Sequence, residues 1–582
     1  MVNSPLPLRA LAPCLAALFV AIAAAAPAPA WAQGRESGQV EQSLKKSDEE
    51  KRLEKEAPQV NIQDKPELKT ADDSKVRVKL RSIKITGNVS YPTDELHALV
   101  ADYEGKELTL SDLRSAANRI TMHYRSHGYG LSWAYIPDQV VQDGDIEIAV
   151  VEARIDKVLV QGNAHYGTNF ILDHVAGTAN QEALDLDSLE RGLLSLNDYP
   201  GLSVSAVLAP GGTPGTSDLY LKVRDKYPIN VSVDWDNFGS KFVAENRGGA
   251  TVEAFNLFDL GHWVSVRGVQ GFGDGDVSFL TGSYTAPFAN GLKVNAWGSY
   301  YNYKAVGELA VFEPLGDGVA FGATLSYPLY RTRMYSLVPE IGYEHKNLKQ
   351  ELFGIQISDD ELRVAVAGVR FEWNDDLLGE SLRGRWLGSL HLRKGLPGFA
   401  GGLEADDLNA SRAGAGGDFT KVAFTLYRLQ RVTSWLHLIG RVNYQYSADP
   451  LVVSEQMSVG GADSVRGYPA FEVMGDRGYN ASIEARIKLP FLQDFSDPFG
   501  SSSSLYDMVQ LALFADTGEG ELVTPALGEE DRVRLTGAGV GLRLEYPGRT
   551  SFRLDFGWPV GNRDPSTGDN YTVYFNLIVN LF

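Results

Sequence analysis

From Tyr227 onward the chain alternates, and alternation on that scale leaves few folds open. Phe552, Leu554, Phe556 and Trp558 share one parity, and Arg553, Asp555 and Gly557 lie between them. Leu436, Leu438, Val442, Tyr444 and Tyr446 are interleaved in the same way with His437, Arg441, Asn443 and Gln445. A strand sends successive side chains to opposite faces, so these segments carry grease on one face and charge on the other. Sixteen candidates can be counted, starting near Pro228, Arg247, Gly261, Asp276, Gly291, Gly318, Met334, Glu361, Arg383, Asp418, Ser434, Tyr479, Leu505, Arg532, Arg549 and Asn570. A soluble β-sandwich also alternates, but its apolar face looks into a thin core. So many strands with large polar faces fit a barrel whose lipid side is apolar and whose lumen is wet. In lipid every backbone polar group needs a partner, so the sheet must close. The expectation is a transmembrane β-barrel of sixteen antiparallel strands over residues 227–582. In the last strand Phe582 falls on the parity of Asn580 and Asn576, which calls for a bulge or a docking role for the terminal ring.

Residues 1–32 read as a signal peptide: Arg9, an apolar stretch over 11–26, and the cleavage pattern Ala30-Trp31-Ala32. The only cysteine, Cys14, lies in this segment, so no disulfide is expected afterwards. Past it no run of about 18 apolar residues occurs, which leaves no transmembrane helix. Glycine and aromatics are plentiful instead, with 60 Gly, 26 Tyr, 25 Phe and 9 Trp, as barrels with aromatic girdles require.

Residues 33–75 are polar and charged. A helix over 40–56 is expected, with only Val40, Leu44 and Leu53 apolar, followed by a linker over 61–74. Then the texture changes twice in the same way. Residues 76–152 read strand, helix, helix, strand, strand, and 153–226 repeat that order. The two blocks begin alike, Ile83-x-Ile85-x-Gly87-Asn88 beside Val158-x-Val160-x-Gly162-Asn163. One small α/β unit is duplicated.

Chemistry is hard to find. A net charge of −20 offers no basic face for nucleic acid. His123 and His127 share a helix face at the spacing of a zinc pair, but Tyr124 stands where a metalloprotease needs Glu. The loop Gly211-Gly212-Thr213-Pro214-Gly215 has no P-loop lysine. Asp516 and Glu519 sit on strand and turn, no setting for an acid/base pair. Neither catalysis nor a metal or cofactor is expected.

Four features together resemble the two-partner secretion transporters, relatives of the barrel-assembly insertase. The duplicated block looks like a pair of POTRA domains. Gly128-Tyr129 with Tyr135-Ile136-Pro137-Asp138-Gln139, then Gly144-Asp145-Ile146 and Val150-Val151-Glu152, is similar to the first-POTRA signature. Val465-Arg466-Gly467-Tyr468 looks like the loop-six motif, and Phe514-Ala515-Asp516-Thr517-Gly518 like its partner on the barrel wall. By the strand count the first motif falls in the sixth extracellular loop, near 447–478, and the second on strand thirteen, as the resemblance requires.

The resemblance implies an outer-membrane pore with its N-terminal domains in the periplasm of a Gram-negative bacterium. The pore would recognise an unfolded exoprotein, a large β-helical adhesin or haemolysin, and secrete it without ATP or a proton gradient. Its other partners would be outer-membrane lipids and, during biogenesis, the barrel-assembly machinery. Tyr135, Pro137 and Gln139 would shape cargo recognition, with Gln139 exposed. Strand edges at 131–136 and 202–208 would take an added cargo strand. The helix over 40–56 would rest in the lumen. Loop six would fold inward so that Arg466 pairs with Asp516 in a wet lumen. Two POTRA-like blocks favour secretion over the alternative of an insertase, and a solute porin needs no such blocks.

Overall fold

The computed structural model describes residues 60–62, 77–141, 143–179, 183–213, 215–273, 276–288, 290–305, 314–379, 382–495 and 504–581. The expected signal segment with Cys14, the expected helix over 40–56 and Phe582 lie outside the described residues.

In the first α/β unit, Ser82–Thr86 runs parallel to Asp145–Val151, which pairs antiparallel with Trp133–Tyr135 at the sheet edge. Helices Thr93–Ala98 and Leu110–Ser126 cover one face. The longer helix starts where Thr109 and Asp112 satisfy each other's backbone N–H groups in a capping box. It buries Leu113, Ala117, Ile120 and Tyr124 against Ile83, Ile85, Ile146 and Ile148, an i, i+4 stripe on alternate strand residues.

The second unit repeats this with Arg154–Gln161 parallel to Thr216–Asp225, antiparallel Leu202–Pro210, and helices Thr168–Ala179 and Leu186–Asn197. The duplication extends to the loop chemistry. Asn88 Nδ2 donates to the carbonyl of Tyr91 at 2.9 Å, and Asn163 Nδ2 to that of Tyr166 at 2.9 Å. An acid at the end of each block closes the same loop: Glu152 accepts from the N–H groups of Val89 and Ser90, Asp225 from those of Ala164, His165 and Tyr166. Burial alone would raise the Glu152 carboxyl, but hydrogen bonds from Tyr124, Ser90 and Val89 outweigh it and hold it below the usual range.

One strand departs from expectation. Val60–Ile62, at the start of the expected linker, pairs in parallel with Ala206, Val207 and Leu208 on the outer edge of Leu202–Pro210. Backbone pairing needs no side-chain pattern, so nothing in the residues announces it. The two units are joined where the Leu186 N–H donates to the Gly128 carbonyl at 2.9 Å.

The largest sheet is a closed antiparallel barrel of sixteen strands. They are Ile229–Asp236, Asn246–Leu257, His262–Phe272, Asp276–Pro287, Lys293–Lys304, Leu315–Ser326, Tyr335–Leu352, Ile355–Asp375, Gly384–Gly395, Thr420–Arg431, Leu436–Ser447, Arg477–Lys488, Val509–Glu521, Arg532–Tyr546, Thr550–Pro559 and Thr572–Asn580. Tyr330–Arg331 continues the sixth strand after a break and pairs with the seventh. First and last strands close the seam from Ser232 opposite Asn580 to Asp236 opposite Asn576. The eighth strand begins at Ile355 rather than near Glu361, because its hairpin with the seventh continues beyond the apolar belt. One face presents Trp235, Val252, Val266 and Leu280 outward; the other is charged, as where Arg267 grips both oxygens of Asp234 at 2.8 Å. No helix among the described residues is long and apolar enough to cross a membrane; the strands make the crossing.

The second α/β unit is seated on the barrel turns at the end where the first strand begins. Asp198 accepts from Arg331 Nη2 at 2.6 Å and Lys293 Nζ at 3.4 Å, and Glu190 from the Arg333 N–H at 3.0 Å. Asp259, between the second and third strands, accepts from the Gly167 N–H, just before helix Thr168–Ala179 of the second α/β unit.

Candidate functional site: loop six inside the barrel

The segment between strands eleven and twelve, residues 448–476, folds into the barrel rather than outward. Both side chains of the expected pair are buried, Arg466 at 1% and Asp516 at 2% exposure, so the pair is closed off from bulk solvent instead of standing in an open lumen. On strand thirteen Leu511 and Leu513 face out while Ala512, Phe514 and Asp516 face in. That alternation puts the acid where loop six can reach it.

The structure brings the two motifs together residue by residue. Arg466 Nε and Nη2 donate to the two Asp516 oxygens at 2.7 and 2.9 Å, and the Arg466 backbone N–H donates to the same carboxylate at 3.1 Å. This is the bidentate fork that a planar guanidinium makes with a carboxylate. The Phe514 ring lies under the guanidinium, 3.3 Å from carbon to ring centroid. An added Cβ at Gly518 would stand 2.6 Å from Val459 of loop six, so that glycine makes room for the loop. In the other motif Val465 and Tyr468 are fully buried, packed with Val459, Val473 and Leu535. Gly467 has φ +103°, and a Cβ there would stand 2.6 Å from the Trp558 backbone. The Tyr468 hydroxyl donates to the Arg563 carbonyl at 2.9 Å, and Tyr574 donates to the Tyr468 carbonyl.

Reading by residue did not find the rest of the charge network. Arg466 Nη1 also donates to Glu484 at 2.7 Å and reaches Asp555 at 3.4 Å. Arg543 bridges Glu484 and Asp555 at 2.9 and 2.6 Å, and Arg553 binds Asp555 at 2.8 Å and Asp463 of loop six at 2.9 Å. A buried ion pair is stable only when its remaining hydrogen-bonding capacity is met; all three Arg466 guanidinium nitrogens have acceptors, while Arg543 Nε in the same network has none among the described residues. The signal was present in part, since Arg553, Asp555 and Gly557 are the inward parity of strand fifteen. At the outer rim Asp476, fully buried, accepts from Arg412 of the fifth loop at 2.6 and 2.7 Å and from the Leu451 and Val523 N–H groups. Loops five, six and seven are tied at that carboxylate.

In the first α/β unit, Tyr135 stands exposed on the edge strand. Gln139 does not stand free as expected. Its Nε2 donates to the Glu147 carbonyl at 2.9 Å and its Oε1 accepts from the Glu147 N–H at 2.8 Å, in place of a neighbouring strand. Pro137 lies between the two. The structure does not bring these residues near loop six. His123 Nε2 lies 3.3 Å from Glu95, and among the described residues no three His, Cys, Asp or Glu are grouped to hold a metal.

Residues 215–544 match the family described as haemolysin secretion/activation protein ShlB/FhaC/HecB, and residues 78–153 match the ShlB-type POTRA domain. The chain belongs to the ShlB/FhaC/HecB family. It is therefore an outer-membrane two-partner secretion transporter with periplasmic POTRA units. The heme/hemopexin transporter protein HuxB of Haemophilus influenzae (strain 86-028NP) is 26% identical over 506 residues, covering 84% of this chain and 85% of the relative. The outer membrane transporter CdiB of Dickeya dadantii (strain 3937) is 24% identical, covering 69% of this chain and 70% of the relative. CdiB from Escherichia coli shares the fold with a TM-score of 0.74 at 22% identity, over 94% of this chain and 98% of that one. In this family member the two motifs form one buried contact between loop six and the wall.

Proposed function

We propose that this transporter exports one partner exoprotein of the large β-helical haemolysin or adhesin type, and that the Arg466–Asp516 contact sets the position of loop six during export. The observation that supports this reading is loop six itself. A solute porin needs a standing water path, whereas here the loop lies in the lumen with Val465, Arg466 and Tyr468 all buried. Such a pore suits a cargo that arrives intermittently and moves the loop. One relative, from Proteus mirabilis, is named a hemolysin transporter, in line with a secreted-protein cargo.

Cargo is taken up as an added strand on the edge Trp133–Tyr135, where the exposed Trp133 and Tyr135 rings meet apolar cargo side chains. The edge Leu202–Pro210 already carries Val60–Ile62 along its outer side, which leaves the first unit as the receiving one. Gln139 and Pro137 shape that sheet instead of touching cargo. No residue is asked to do covalent chemistry; the cargo's folding outside supplies the free energy.

The test is co-expression, in a Gram-negative host, of this chain with a candidate exoprotein of the long β-helical type. Exoprotein should reach the medium with the intact chain and stay in the periplasm when residues 77–151 are deleted from a barrel that still inserts. Undiminished export by the deletion variant, or no export with the intact chain, would contradict the reading.

A further inference from the structure

Loop six is held at a second point, eleven residues before Arg466 and on a different arc of the wall. Val453–Glu455 forms a single 3-10 turn just after the loop leaves strand eleven. The turn points Glu455 at the arc of wall made by strands seven, nine and ten, and its side chain is 1% exposed. Lys346 Nζ donates to one Glu455 oxygen at 2.9 Å and Lys421 Nζ to the other at 2.5 Å. Arg393 Nε stands 3.8 Å from the carboxylate. The Glu455 carbonyl is held too, by Lys421 Nζ at 2.9 Å and Gln445 Nε2 at 3.0 Å.

The two attachments have opposite sign. At Arg466 the loop presents a cation to Glu484, Asp516 and Asp555 on strands twelve, thirteen and fifteen. At Glu455 it presents an anion to Lys346 and Lys421 on strands seven and ten. Between them lie Gly460 and Gly461, with φ +110° and +99°, a conformation other residues rarely adopt. Strand direction places Lys421, Lys346 and Arg393 toward the outer rim, and Asp516 and Asp555 nearer mid-depth.

We propose that Glu455 is a second positioning residue of loop six, strapping the loop's base to the strand seven-to-ten arc. The loop then opens the pore by releasing Glu455 while Arg466 stays bound as the pivot. Glu455 is as buried as Arg466, but its contacts are single ones to flexible ammonium groups nearer the rim, and these exchange more readily than a fork does. Arg466 is additionally bidentate, stacked on Phe514 and enclosed by three acids. An arriving cargo strand that wets the rim therefore frees the base first. The inference rests on the export reading for its purpose, but the strap can be measured without any cargo.

The experiment uses the full chain in planar lipid bilayers, with no exoprotein present. Glu455→Gln removes the anion and keeps the shape. Wide openings should become about tenfold or more frequent, because neutral Gln cannot make the carboxylate's charge-assisted hydrogen bonds. Glu455→Asp should fall between. In a second variant Glu455→Cys and Lys421→Cys are joined by a short bis-methanethiosulfonate bridge. Bridged channels should stay closed, and adding reductant to the same channels should release the openings. A purely structural role would lower the amount of folded barrel without altering the openings of the channels that form. The proposal is overturned if Glu455→Gln channels open at the wild-type rate, or if cleaving the bridge changes nothing. Failure of the intact chain to export would defeat the export reading and leave these outcomes unaffected.

Discussion

An added Cβ on Gly537 would stand 1.9 Å from the carbonyl oxygen of Arg466. The main chain of loop six thus lies directly on strand fourteen, and the wall is cut away to admit it. Gly557 on strand fifteen does the same, with a Cβ position 2.6 Å from the Gly467 nitrogen. The Arg466 fork is placed by backbone-on-backbone packing as much as by charge. Gly537→Ala should therefore displace the loop without altering any charged group. Overpacking of this kind costs roughly 1–3 kcal/mol, enough to reduce export about tenfold or more. Barrel insertion, read by heat modifiability in gels, should be unchanged. Gly268→Ala, at a strand glycine with nothing within 4 Å of the added carbon, should leave export intact. Equal effects of the two substitutions would argue against the close approach.

The surroundings of Arg466 decide what a charge exchange can do. With Asp516 alone as partner, Arg466→Asp combined with Asp516→Arg would be expected to restore part of the activity. Glu484 and Asp555 change that expectation, because an acid at 466 would face both of them. The double variant should export no better than either single one. Arg466→Lys keeps the charge but loses the fork, and should retain only a fraction of export in a normally inserted barrel. Secreted exoprotein measured against surface barrel content checks both.

Acid should loosen the periplasmic units in a defined direction. Against the raising effect of burial, hydrogen bonds hold the carboxyls of Glu152 and Asp225 below their ordinary values. The stabilisation they contribute is therefore complete above the unfolded-state values, about pH 4, and is lost as pH falls through the lower folded ones. The urea midpoint of the periplasmic region in the full chain should drop below about pH 4. Glu152→Gln should lower the midpoint at neutral pH and flatten its acid dependence. A midpoint that still falls as steeply in the Glu152→Gln variant would assign the acid sensitivity to other groups.

Much of this architecture is legible without coordinates because a barrel writes its geometry in period two. The Leu511, Leu513 against Ala512, Phe514, Asp516 alternation assigns the inward acid, and the order of motifs assigns its partner. Glu484 was not legible, because its role requires the register that sets it opposite Phe514 and within reach of Arg543 on strand fourteen. Glu455 was still further out of view. It sits in a loop without period, and its partners Lys346 and Lys421 come from strands distant in sequence. Val60–Ile62 joins a sheet edge by backbone pairing, which requires no side-chain pattern in the sequence. Gln139 looked like an exposed polar residue because a side-chain amide standing in for a strand has no sequence signature.

The most direct test of the account is a disulfide between Arg466→Cys and Asp516→Cys in the full chain inserted in the outer membrane. The Arg466 backbone N–H lies within hydrogen-bond distance of the Asp516 carboxylate, and the only native cysteine, Cys14, falls in the expected signal segment. With loop six folded inward, mild oxidation should join the two positions, and a membrane-impermeant maleimide added outside cells should fail to label position 466. No crosslink in a correctly inserted barrel, together with ready labelling of position 466 from outside, would contradict the inward loop on which the account rests.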